Sequence, residues 1–122
     1  MVVKMHVIGI KQAKIFLNKK KGNVEKQLKV GLNNAALFVQ GEVKDSIAGR
    51  RAEPTSVDTG RFLNSVDFNV GKVDAVVFSN IPYAKHLEFG TSRMGARKHF
   101  QNSKNRNKNK IRDILNSQIK KI

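Results

Sequence analysis

The sequence predicts an α+β fold: a long N-terminal helix and a C-terminal helix packed on a small, mainly antiparallel sheet. Three observations predict it. Val24, Leu28, Leu32, Ala35, Val39, Val43 and Ile47 recur at spacings of three and four, the mark of one helix face. Val66-Asp67-Phe68-Asn69-Val70 alternates and, after Gly71-Lys72-Val73-Asp74, is followed by Ala75-Val76-Val77-Phe78, the pattern of an antiparallel hairpin. Ile111, Ile114, Leu115, Gln118, Ile119 and Ile122 make a second amphipathic stretch near the C-terminus.

In chain order, residues 2–10 come first. Val3, Met5 and Val7 alternate with Lys4 and His6, which predicts a strand at a sheet edge. The helical period runs from about residue 12 to 47, with Gly22-Asn23 as a joint and Ile15 and Phe16 on a short turn before it. Gly31 and Gly41 each cost a helix up to ~1 kcal/mol relative to alanine, so they imply close packing on another backbone or local looseness. The stretch 49–57 contains Arg50 and Arg51 and reads as a basic, mobile loop. Asp58 or Thr59 then caps a short helix, with Gly60 turning the backbone tightly. The hairpin strands are expected at 65–71 and 74–79. Pro82 suits the first position of a helix through Phe89, and Gly90 its left-handed end. A fourth short strand fits near 96–100. Residues 104–110 read as solvated or frayed before the last helix.

The chain has 122 residues, enough for one domain. Its 39% hydrophobic content is low for a self-sufficient globule, so neighbouring subunits are expected to add stability. The 24 Lys+Arg against 9 Asp+Glu give a net charge of +15, which calls for an acidic partner: nucleic acid, an acidic protein ring or an anionic membrane. The charge is densest over 93–122. There is no cysteine, hence no disulfide or thiolate chemistry. No apolar run approaches the ~20 residues that span a bilayer, and the N-terminus is too interrupted for a signal peptide, so a soluble product made in the cytoplasm is expected.

Enzymatic readings are poor. His6, His86 and His99 fall on separate elements, and His86-x-Glu88 lacks the further ligands a metal site needs. No Gly-rich phosphate loop follows a strand and no serine sits in a Gly-x-Ser-x-Gly elbow. No paired carboxylates suggest general acid–base work. Neither catalytic residues, metal nor cofactor are expected. A free nucleic-acid-binding protein is the alternative that the charge supports, but there is no helix-turn-helix pattern and no exposed aromatic series.

Two motifs stand out. One is Val57-Asp58-Thr59-Gly60-Arg61-Phe62-Leu63-Asn64-Ser65-Val66. The other is Pro82-Tyr83-Ala84-Lys85-His86-Leu87-Glu88-Phe89-Gly90-Thr91, followed by Ala96-Arg97-Lys98-His99-Phe100. In order and spacing they resemble the tail-component family of tailed phages, the gene-product-ten type, over nearly the whole chain. The Tyr83-to-Thr91 segment is the most specific part. The family usually has proline and then phenylalanine directly after the arginine. Lys98 and His99 depart from that, which implies a rearranged start to the last helix.

The resemblance implies one virion domain over 1–122, a structural part of the neck where head meets tail. Its partners would be itself, in a ring of about six subunits; the connector or head-closure protein; the tail-tube or tail-terminator protein; and the end of the packaged DNA. No membrane is implied. Asp58, Thr59, Gly60, Arg61, Tyr83, Glu88, Phe89, Gly90 and Thr91 would be scaffold residues. Arg61 is expected to pair with Glu88, and Tyr83 and Phe89 to pack under the hairpin. Arg50, Arg51, Arg93, Arg97, Lys98, Lys104, Arg106, Lys108 and Lys110 are the candidate contacts to protein partners or nucleic acid.

Overall fold

A computed structural model of the chain describes residues 3–6, 23–53, 60–71 and 74–119. The elements are β1 (Val3–His6), α1 (Asn23–Ile47), α2 (Arg61–Ser65), β2 (Asp67–Val70), β3 (Ala75–Ser79), α3 (Ala84–Phe89), α4 (His99–Arg106) and α5 (Lys108–Ile119). This is the expected α+β architecture. The expected turn at Ile15 and Phe16 and the cap at Asp58 or Thr59 lie outside the described residues, as do positions 2 and 7–10 of the strand expected over 2–10.

The hairpin forms where alternation placed it, and both pairings are antiparallel: Val70 faces Ala75 and Phe68 faces Val77, while β1 pairs Val3 with Ser79 and His6 with Val76. The order β1-β3-β2 puts the first strand at an edge, as predicted, and β3 in the centre. Ala75, Val77 and Ser79 are buried. Phe68 and Val70 share their face and pack on the core.

The inner face of α1 supplies Leu28, Leu32, Ala35, Ala36, Val39, Val43 and Ile47 to that core, and Phe62, Val66, Ile81, Phe100, Ile111 and Leu115 close around it. Gly31 shows what its missing side chain is for. A Cβ there would stand 3.3 Å from Gln118 Cβ and 3.4 Å from Leu115 Cδ2, so glycine sets how closely α1 and α5 approach. Gln118 Nε2 also donates to Gln27 Oε1 across this seam at 2.5 Å. Gly41 meets nothing within 4 Å.

One expectation for the C-terminal third is corrected, and another, the solvated stretch at 104–110, proves to be a largely exposed but helical one. No strand forms at 96–100: residues 96–98 are irregular and His99 opens α4. The basic stretch at 104–110 is helical except at Asn107, the joint of α4 and α5. Its amide donates to the Lys104 carbonyl and its side chain to the Ser103 carbonyl, closing α4. The helix runs through this polar stretch because Phe100, Ser103, Ile111 and Leu115 are buried on one side of it. Among the described residues no helix is long and apolar enough to cross a membrane.

Candidate assembly site

The segment Tyr83–Phe100 builds a rigid corner from backbone hydrogen bonds. α3 starts at Ala84, not Pro82; the proline sits in the turn closed by the Ala84 amide on the Ile81 carbonyl. The helix ends at Gly90, whose φ of 80° and ψ of 175° belong to a region open essentially to glycine alone. Thr91 and Met94 then exchange hydrogen bonds in a small bridge, and the Arg97 amide returns to the Leu87 carbonyl at 2.8 Å.

Glu88 is the pivot of this corner. It is buried, and its two carboxylate oxygens accept the amides of Phe100 (2.9 Å) and Gln101 (3.0 Å). These are first-turn amides of α4 that no carbonyl of the helix can reach, so Glu88 caps α4 from another helix. Burial pushes its carboxyl above the usual range, against the pull of the two amides. The expected partner, Arg61, is an exposed residue opening α2, and Glu88 spends its oxygens on α4 instead. The departure at Lys98 and His99 is absorbed here: Lys98 takes a left-handed conformation (φ 52°, ψ 40°) as the residue before α4. Gly60 holds the corresponding place before α2 with φ 80°.

Beside this corner lies a buried polar cluster that motif reading missed. Glu53, in the 49–53 segment after α1, accepts Arg106 Nη1 and Nη2, both at 3.1 Å, Asn102 Nδ2 at 3.2 Å and the Ser46 hydroxyl at 2.5 Å. Ser46 Oγ also lies 2.8 Å from His99 Nδ1. With the serine proton given to Glu53, His99 donates from Nδ1, and burial of the ring disfavours its charged form. Ser46 and His99 are fully buried. The only sequence signal was a lone acid in a basic loop; the three other partners lie 7 to 53 residues from Glu53.

The cluster ties stability to pH. Burial lowers the His99 pKa from 6.5 to about 4, with Arg97 adding to the shift and Glu53 opposing it. Burial would raise Glu53, but Arg106, Ser46 and Asn102 outweigh it and hold the carboxyl at about 2. Both folded values lie below the unfolded ones, so the unfolded chain takes up protons first as pH falls. The His99 contribution is complete above pH 6.5 and lost toward pH 4; that of Glu53 is complete above about 4.5 and lost toward 2. Acidification from pH 7 to 4 should therefore lower the unfolding free energy by about 3 kcal/mol through His99. Urea unfolding at a series of pH values measures this, and a flat profile between about pH 7 and 4.5 would contradict the buried neutral imidazole.

A catalytic reading of Ser46, His99 and Glu53 fails on order. A hydrolase needs the imidazole between hydroxyl and acid, whereas here the hydroxyl lies between the other two. Among the described residues no group of three His, Cys, Asp or Glu side chains could hold a metal ion.

The predicted basic contacts divide into two sets. Arg51 reaches Glu42 (2.8 Å) and Asp45 (3.2 Å), Arg50 reaches Asp45 at 3.4 Å, and Arg106 holds Glu53. Arg93, Lys98, Lys108 and Lys110 are exposed, while Arg97 and Lys104 are half-buried. Tyr83 and Phe89 do not pack beneath the hairpin as expected. They are 38% and 63% exposed, Tyr83 touching the Phe62 ring edge-on at 6.2 Å. The reason is the short α3, whose inward positions are filled by Ala84 and Glu88.

Comparison with known proteins finds one family model, described as "Bacteriophage HK97-gp10, putative tail-component", matching residues 11–90. No curated protein and no solved structure matches the chain significantly.

Proposed function

From the premise that the chain belongs to the HK97-gp10-like family of bacteriophage tail components, we propose that it is a ring-forming structural subunit of the virion neck, completing the tail between connector and tail tube. The observation that carries this reading is the match over residues 11–90, which takes in the first motif and the second up to Gly90. Family membership supports a structural phage tail component acting with other virion proteins. The neck level, the ring and its subunit number of about six are the proposal.

The geometry suits a scaffold and no catalyst. Glu88 is consumed in capping α4, Gly60 and Gly90 in turning the chain, and Glu53 in fastening the 49–53 segment to α4. What the surface offers is charge. The exposed Arg93, Lys98, Lys108 and Lys110 are basic positions that fit acidic surfaces of the connector or tube, or phosphates at the end of the packaged genome. A strongly basic lumen would hinder DNA sliding, so these residues belong on docking faces. The whole of 1–122 acts as one virion domain.

The test is deletion of the gene from the phage that carries it, followed by electron microscopy of the lysate. The proposal expects full heads and separate tails that complementation joins. Normal infectious particles from the deletion would refute it.

A further inference from the structure

Much of the second motif is used inside the fold. Ala84 and Glu88 are buried, Leu87 packs on the core, Gly90 turns the chain and Thr91 closes the bridge to Met94. Lys85, His86 and Phe89 lie instead on the opposite, exposed side of α3. Phe89 follows them by four and three positions, so it stands one helical turn beyond both. At 63% it is the most exposed large hydrophobic residue among those described. Its mounting is rigid: the Gly90 amide donates to the His86 carbonyl, the Arg97 amide to the Leu87 carbonyl and the Phe100 amide to Glu88. A projecting ring held this way loses little freedom on binding.

The neighbouring residues give the partner's charge. Between Pro82 and Lys98 the one acid is Glu88, which is buried with both oxygens spent on α4. The charged residues exposed in that segment are Lys85, Arg93 and Lys98. A second copy would set the same cations against them, from a chain of net charge +15. The occupant is therefore acidic. The aromatic ring separates protein from nucleic acid. Phosphate contacts need donors and positive charge but no projecting ring, and single-strand binders stack successive bases on several rings. Here one ring projects, because Tyr83 is turned edge-on to Phe62. One aromatic anchor with arginine and lysine around it is the composition of a protein interface, the ring filling an apolar pocket and the cations pairing at the rim.

We propose that the outward side of α3 docks on an acidic surface of another virion protein, with Phe89 entering an apolar pocket there and Lys85 and Arg93 pairing with Asp or Glu side chains around it. The proposal rests on the virion reading above, but not on the ring or its subunit number.

The test uses the full chain during phage assembly. The photo-cross-linker p-benzoylphenylalanine replaces Phe89, or Asn116 on the exposed side of α5 as the control, in cells producing the phage, and the cross-linked peptides are identified by mass spectrometry. The expected result is a cross-link from position 89 to a different virion protein, at an apolar residue set among Asp or Glu, well above anything from position 116. In complementation of the gene deletion, Phe89→Ala and Arg93→Glu should each restore at least about tenfold fewer infectious particles than the wild-type chain, while thermal unfolding of the purified variants stays unchanged. Cross-links mainly to another copy of this chain, to DNA, or only at the level of position 116 would overturn the proposal. So would full complementation by Phe89→Ala, which would leave the neck reading standing. Normal infectious particles from the deletion would instead sink the neck reading, and the cross-link would still decide the docking.

Discussion

Glu53→Ala should destabilise the protein by about 3 kcal/mol at pH 7. The carboxylate is the common acceptor for Arg106, Asn102 and Ser46, and only 4% of its side chain is exposed. Its loss leaves the Ser46 hydroxyl without its acceptor in a fully buried position. Arg106 loses a two-pronged partner, although a third of its side chain is exposed, and water will recover part of that cost. Glu53→Gln keeps an acceptor for Ser46 but gives up the charge, and should cost about half as much. Urea unfolding of the three proteins checks both values. A loss below about 1 kcal/mol for Glu53→Ala would show that the cluster is not a fastening point between the end of α1 and α4.

Gly90→Ala should cost about as much, ~3 kcal/mol or more, by a different route. At φ 80° and ψ 175° any side chain is strained, and here there is also no room. A Cβ would stand 2.8 Å from the Ala96 amide nitrogen and 2.9 Å from the Met94 carbonyl oxygen, both backbone atoms that cannot turn aside. Relief requires moving the 94–96 segment, which carries Arg97 back to Leu87 and sets Phe100 over Glu88. The variant should therefore loosen the start of α4 as well as lower the melting temperature. Hydrogen exchange of the Phe100 and Gln101 amides measures this: faster exchange is expected, and unchanged protection would contradict it.

These sites show where the sequence was legible. The inner face of α1 and the β2–β3 hairpin could be read because each announces itself through spacings of two, three or four within one segment. α4 could not: between Phe100 and Ile111 its buried side includes Ser103, and hydropathy alone hides such a face. The Glu53 cluster joins residues 46, 53, 99, 102 and 106, and no local spacing encodes that meeting. Glu88 was legible as a motif residue but its partner was not, because an acceptor of backbone amides leaves no complementary side chain to find. Tyr83 and Phe89 misled in the opposite sense, since aromatic residues usually signal burial. Their exposure at either end of α3 is a property of the short helix between them.

The most direct test of the structural-subunit account is mass spectrometry with copy counting on purified particles of the phage that encodes the chain. The account predicts the chain in complete particles at about six copies each. Its absence from complete, tailed particles would contradict the account.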